Sequence, residues 1–192
     1  MSSRRAVLCS RNAHKARELE RLLPGWTIEP LDRADYPPET GGTYYENAAS
    51  KAAFGRACSG DATWVVAEDS GIEVEALGGR PGVQSARYAP EGAPAIWKLL
   101  TELAGVDERR ARYVSELVAV APGGAELRGT GVVTGRIARR ARGSEGFGYD
   151  PIFVPDGEER TVAELGNEWK ARNSHRARAA QALLEACRAA RG

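Results

Sequence analysis

Thr63-Trp64-Val65-Val66-Ala67-Glu68-Asp69-Ser70-Gly71 decides the reading of this chain. Its first five residues form an apolar run that reads as a buried strand. The run leads directly into two adjacent acids, a serine and a glycine. Carboxylates at the end of a buried strand are costly to desolvate unless positive charge meets them. A bound cation, or a substrate that brings one, is the usual remedy. A glycine-rich turn, Gly78-Gly79-Arg80-Pro81-Gly82, follows. The chain is therefore expected to hold an active site with a hard metal, placed where a strand ends.

Outward from this stretch, strands and helices mix. Residues 5–9 and 26–30 read as strands, and Asn12 caps a helix reaching about residue 23. Residues 32–42 are a polar loop. Thr43 and Glu46 have capping-box spacing, opening a helix that runs to about Cys58. Residues 72–76 alternate like a strand, and residues 93–103 are helical. Residues 111–121 and 125–133 flank Pro122-Gly123-Gly124 as a long hairpin. Residues 135–142 form a basic strand or turn, residues 143–150 a glycine-rich loop, and residues 174–190 a closing helix. The order suggests an α/β fold with one long sheet.

The bulk numbers exclude several classes. Lys and Arg total 27 against 26 Asp and Glu, so no global charge argues for nucleic acid or a membrane surface. Three cysteines without CxxC spacing argue against a disulfide framework or zinc site and favour a reducing compartment. The apolar run after Arg5 is too short for a signal peptide, and no later stretch would span a bilayer. A cytoplasmic location and a single domain over residues 1–192 are expected.

Five polar stations stand at strand ends or in loops. Ser10-Arg11-Asn12-Ala13-His14-Lys15 lies between a strand and a helix, where free N–H groups and a lysine suit a phosphate. Glu39 precedes Gly41-Gly42, with Lys51 a few turns on. Glu68-Asp69-Ser70 offers two carboxylates to share Mg²⁺, or one to bind metal while the other takes a proton from water. Gly146-Phe147-Gly148-Tyr149-Asp150-Pro151 has glycines for close backbone approach, two aromatics to stack on a flat base and an acid to accept ring N–H groups. Lys170, then Ser174-His175-Arg176, cluster donors near a helix start. Singly, each also reads as a cap, turn or solvated side chain. Together they are the parts of a nucleoside triphosphate site.

The blocks SRNAHK, ETGGTYYENAASKA, EDSGIEVEALGGRPGVQSARY, GFGYDPIF and TVAELGNEWKARNSHR resemble, in order, the inosine triphosphate pyrophosphatase family, the XTP/dITP diphosphatases. The resemblance implies an elongated mixed β-sheet flanked by helices, two lobes with a cleft between them, and a homodimer. It implies Mg²⁺-dependent hydrolysis of ITP, dITP and XTP to the monophosphate and pyrophosphate. Residues Ser10, Arg11, Asn12, Ala13, His14 and Lys15 would hold phosphates, with Lys51 approaching them. Glu39, Glu68 and Asp69 would form the metal site, with Asp69 the proton acceptor and Ser70 on substrate. Phe147, Gly148, Tyr149, Asp150, Lys170, His175 and Arg176 would hold the nucleotide, mainly its base. Donors at His175 and Arg176 suit a 6-oxo group and reject the 6-amino group of adenine. The chain departs from the common bacterial pattern at Ser10 (usually Thr), His14 (often Gly) and Glu68 (usually Asp). A rival reading is a pyrophosphatase for modified pyrimidine or methylated nucleotides. Another is a nucleic-acid module using the basic stretch 135–143. Neither nucleic acid nor membrane is the expected partner.

Overall fold

The computed structural model of the protein describes residues 4–10, 12–33, 35–90 and 92–190. The strands are β1 (Arg4–Cys9), β2 (Trp26–Pro30), β3 (Trp64–Val74), β4 (Arg110–Val120), β5 (Glu126–Ile137) and β6 (Phe153–Pro155). The α-helices are α1 (Ala13–Leu22), α2 (Tyr44–Ser59), α3 (Ala93–Glu102), α4 (Val162–Asn173) and α5 (His175–Ala189). The strands form one sheet in the order β2-β1-β3-β4-β5-β6. β1 runs parallel to β2 and to β3, while β5 and β6 are antiparallel, so the sheet is mixed as expected. β3, β4 and β5 pass through both of two compact units.

The first unit takes the residues up to Asp69, Ser115–Gly131 and those from Arg176 on. The middle stretches of β1, β3 and β4 carry apolar residues on both faces because both faces are covered. Ala6, Leu8, Val66, Leu117 and Ala119 meet Leu19 and Leu23 of the α1 segment and Ala179, Ala180 and Leu183 of α5. The alternate residues Cys9, Val65, Ala67 and Val118 meet Ala48 and Ala52 of α2. This is the period-two alternation of a strand, read twice. Asn12 caps α1, accepting from the amides of His14 and Lys15. Thr43 and Glu46 form the capping box of α2. That helix lies so close to the sheet that a Cβ on Gly55 would come within 2.0 Å of Cys9 Sγ.

The second unit takes Ser70–Val114 and Val132–His175. Its core joins Ile72 and Val74 of β3, Tyr113 of β4, Val133 and Ile137 of β5, Ala95 and Leu99 of α3, and Phe153 and Val162. α4 opens on a second capping box, Thr161 with Glu164.

Two sequence expectations change here. β3 does not end at Glu68; it continues unbroken to Val74. Of the separate strand expected over residues 72–76, residues 72–74 are the end of β3, and Glu75 and Ala76 fall in a 3-10 turn, Glu75–Leu77. α4 and β6 are elements the sequence reading left unassigned.

Candidate active site

The continuation of β3 decides how the acids can act. Consecutive strand residues point to opposite faces. Glu68 shares its parity with Val66 and faces the α1 and α5 side. Asp69 shares its parity with Val65 and Ala67 and faces α2. The expectation that the adjacent pair sits at a strand terminus is therefore corrected: β3 continues through both residues, and its extended backbone turns the two side chains apart.

On the α2 side, Asp69 is buried and accepts from Asn47 Nδ2 at 3.0 Å. Asn47 Oδ1 accepts the Gly41 amide at 2.8 Å, tying the loop before α2 to the same point. One turn along α2, Lys51 Nζ reaches Glu39 Oε1 at 2.7 Å, the Glu68 carbonyl at 2.7 Å and Asp69 Oδ1 at 3.4 Å. Two carboxylates thus converge on one ammonium. Burial pushes the Asp69 carboxyl above the usual range, outweighing the pull of Lys51 and Lys15. For Lys51, burial opposes the charge, but Asp69 and Glu39 together raise its pKa.

On the other face, the Glu68 side chain is fully buried among cations. Lys15 Nζ lies 2.7 Å from Oε2, Arg176 Nε 3.0 Å from Oε1, and Ser115 Oγ donates to Oε1 at 3.0 Å. Arg176 also holds Glu18 at 2.8 Å through Nη1. Burial alone would raise the Glu68 pKa; Lys15 and Arg176 hold it far below the carboxylate range. Glu68 is an anchor for two cations.

The donor set tests the fit of a metal. Among the described residues no three His, Cys, Asp or Glu side chains gather as a metal cluster. Glu39 and Asp69 nevertheless meet at one cation, and both offer hard oxygen. Mg²⁺ commonly takes one or two carboxylates and completes its shell with water and substrate phosphates. The pair fits that ion, whereas Glu68 is already paired with Lys15 and Arg176.

The phosphate station is only partly open. Ser10 Oγ accepts the Asn12 amide at 3.1 Å, and Asn12 Oδ1 takes the His14 and Lys15 amides at 2.9 and 3.2 Å. Those two N–H groups are taken by the Asn12 cap and are not open to a phosphate. Lys15 remains as the cation of this station, and exposed His14 meets Arg17 Nη2 through Nδ1 at 3.1 Å. Arg11 lies outside the described residues, and Ala13 opens α1.

In the second unit, Asp150 Oδ2 accepts Lys170 Nζ at 2.8 Å and the Phe147 amide at 2.9 Å. Gly146 makes this turn feasible: its φ is +78°, and a Cβ there would lie 2.2 Å from Asp150 Oδ2. Lys170 Nζ sits 4.4 Å from the centre of the Phe147 ring. The His175 ring stacks on Tyr113 at 4.5 Å and 8°. Tyr149 differs from expectation. It is buried in the core, its hydroxyl donates to Ser85 O at 3.2 Å, and burial pushes its pKa up to about 12. Its ring has a packing role, which leaves half-buried Phe147 as the ring available for stacking. Ser70 is buried on β3, and Gly148 takes φ +61° in the loop. A cavity of about 10 Å³ lies among Tyr113, Asp150, Phe153, Lys170 and His175. It is too small for a purine, so a base would bind outside it or displace part of its lining.

The Ham1 family model matches residues 6–186. This chain belongs to the Ham1 family. A dITP/XTP pyrophosphatase of Deinococcus deserti is 45% identical over 97% of this chain and 90% of its own length. One from Symbiobacterium thermophilum is 46% identical over 96% of this chain and 95% of its own. The Ham1 protein structure from Staphylococcus aureus superposes with a TM-score of 0.84 at 35% identity, covering 98% of this chain and 100% of the other.

Within this Ham1 chain the structure adds residues that the sequence reading passed over. Asn47 precedes Lys51 by one helical turn, so the two share a face of α2, a spacing visible in the sequence. Ser115, Tyr113 and Glu18 reach the clusters through tertiary packing, and nothing local marks them. The basic stretch also finds its partners. Arg139 pairs with Asp107 at 2.7 Å, Arg142 with Glu164 at 3.1 Å, and Arg136 donates to Glu158 O at 3.4 Å.

Proposed function

We propose that this chain hydrolyses deaminated purine nucleoside triphosphates (ITP, dITP and XTP) to the nucleoside monophosphate and pyrophosphate. The observation that carries the reading is Asp69, a buried carboxylate with a raised pKa, paired with Glu39 across one ammonium. The high identity to proteins named dITP/XTP pyrophosphatase supports it.

The chemistry follows from the groups. A water attacks the α-phosphorus, and the bond from that phosphorus to the bridging oxygen of pyrophosphate breaks. Asp69 accepts the proton of the water; a carboxyl raised towards neutrality is better suited to this than an ordinary aspartate. Mg²⁺, held by Glu39 and Asp69, would supply polarisation of the phosphate oxygens. Lys15 and Lys51 stabilise charge on the phosphates as pyrophosphate leaves. Glu68 orients Lys15 and Arg176 from behind. Phe147 offers a face to the base, and Asp150, Lys170 and His175 offer its edge an acceptor and donors. Ser10, Asn12 and Ser70 complete the substrate set. The chain acts as one catalytic domain, as a homodimer in the cytoplasm. Among the described residues no helix is long and apolar enough to cross a membrane.

The test is pyrophosphate release from ITP, XTP, GTP and ATP, each with and without Mg²⁺. Metal-dependent release from ITP and XTP, with little from ATP and GTP, is expected. Equal release from all four, or none from ITP, removes the assignment.

A further inference from the structure

Three segments of the second unit bring the groups assigned to the base: the loop that carries Asp150, α4 with Lys170, and the start of α5 with His175. They are distant in sequence. One side chain, Tyr113 of β4, touches two of these groups at once. Its ring lies flat against the His175 imidazole, 4.5 Å away and 8° from coplanar. Its hydroxyl reaches Asp150 Oδ1 at 3.4 Å, the oxygen opposite the one that takes Lys170 and the Phe147 amide. On its remaining side the ring packs on Phe153 at 4.6 Å and 58°. Tyr113 and His175 are both buried.

This geometry restricts specific motions. An imidazole has a broad, two-fold torsion about its ring bond, and packing alone fixes its plane. A coplanar partner at stacking distance sets that plane and so the direction of the ring N–H groups. The hydroxyl adds a longer, weaker contact to Asp150, whose other oxygen is already held by Lys170 and the Phe147 amide. Discrimination between a 6-oxo and a 6-amino purine depends on the direction of donors and acceptors, and is lost when they turn freely.

Resting on the assignment of this cluster to a purine base, we infer that Tyr113 is a positioning residue for base selection. It sets the plane of His175 without touching the base itself. It acts on recognition and leaves the hydrolytic step alone.

The experiment combines kinetics with NMR. Tyr113→Leu removes the flat face and the hydroxyl; Tyr113→Phe keeps the face. For Tyr113→Leu, KM for ITP rises about tenfold with kcat within about threefold, the value of an aromatic stack. The ratio of kcat/KM for ITP over ATP falls by the same factor. Tyr113→Phe stays within about threefold of the parent on both substrates. Equal losses on ITP and ATP, or an unchanged ratio, would mean that Tyr113 serves only packing and overturn the inference. The NMR arm needs no variant. The chain has two histidines, and exposed His14 serves as reference for His175. Stacking places the His175 ring protons in the shielding cone of Tyr113, upfield of those of His14 and retained in Tyr113→Phe. Coincident shifts overturn the stack whether or not Tyr113→Leu folds. If the parent protein fails to hydrolyse ITP, the assignment of the site fails instead, and the two failures are told apart.

Discussion

Two of the polar clusters, the one around Lys51 and the one around Lys170, differ in how their charges balance. In the first unit, Glu39 and Asp69 share the single ammonium of Lys51, two negative groups to one positive. In the second, Asp150 meets Lys170 one to one, with an aromatic ring on either side. An acidic excess, buried and hydrogen-bonded, calls for a further cation and keeps a carboxyl ready to take a proton. A balanced pair has no such demand. It presents fixed donors and acceptors beside flat surfaces, which is what recognition of a neutral heterocycle requires. Imbalance marks the place of chemistry and balance marks the place of selection.

Variants can break that contrast, and the largest effect is expected at Asp69. Asp69→Asn keeps the shape and removes the proton acceptor, so pyrophosphate release falls by about 10³-fold or more with an unchanged circular dichroism spectrum. Residual activity near a tenth of the parent in a folded variant would refute the base assignment. Glu68→Gln tests the opposite face. It leaves Lys15 and Arg176 facing a neutral buried partner, at a cost of about 3 kcal/mol in urea unfolding at pH 7. The sign with pH is fixed by the depressed pKa of Glu68. Its stabilisation is complete above the unfolded value near 4.5 and fades as pH drops through the lower folded value. The gap between parent and variant should therefore narrow below that pH, and a gap that widens would reverse the assignment.

Asp150→Asn sharpens the contrast with Asp69. Removing one member of the balanced pair raises KM for ITP about tenfold while kcat changes by less than about threefold. A fall in kcat as large as that of Asp69→Asn would erase the division of labour. Lys51→Met deepens the acidic excess. Mn²⁺ binding to the substrate-free protein, followed by electron paramagnetic resonance, should tighten about tenfold as the competing ammonium is lost. Weaker binding would remove Glu39 and Asp69 as the metal pair. The smallest effect is a baseline: Arg172→Ala removes an exposed pair with Glu168 and should change stability by about 0.5 kcal/mol or less.

Much of this architecture was legible in the chain, for reasons that differ by element. β2 and the caps at Asn12 and Thr43 are local signals, and the structure keeps them. β3 was misjudged because acid, serine and glycine at residues 68–71 imitate a turn. Cations from α1, α2 and α5 override that preference by neutralising the acids within the sheet. α4 carries a capping box at Thr161 as clear as that of α2. Gly166, at φ +85°, interrupts its regularity and hides the helix. In the site, the acids at the end of the apolar run, Glu68 and Asp69, were readable from the residues themselves, while Glu39 and Lys51 stood out only through the family resemblance. Ser115 and Tyr113 were not readable, because their roles exist only after β4 has been laid against its neighbours.

The close seat of α2 over Cys9 carries a practical consequence. That thiol is buried beneath Gly55 and pushed up to about 12 by burial, and Cys187 is buried as well. Of the three cysteines, only Cys58 is exposed. It stands in the last turn of the helix that bears Asn47 and Lys51. A maleimide dye or nitroxide added to the unaltered protein should therefore attach at one place. The natural sequence supplies a single-site reporter on the helix that holds the acidic centre, with no cysteine to be engineered away.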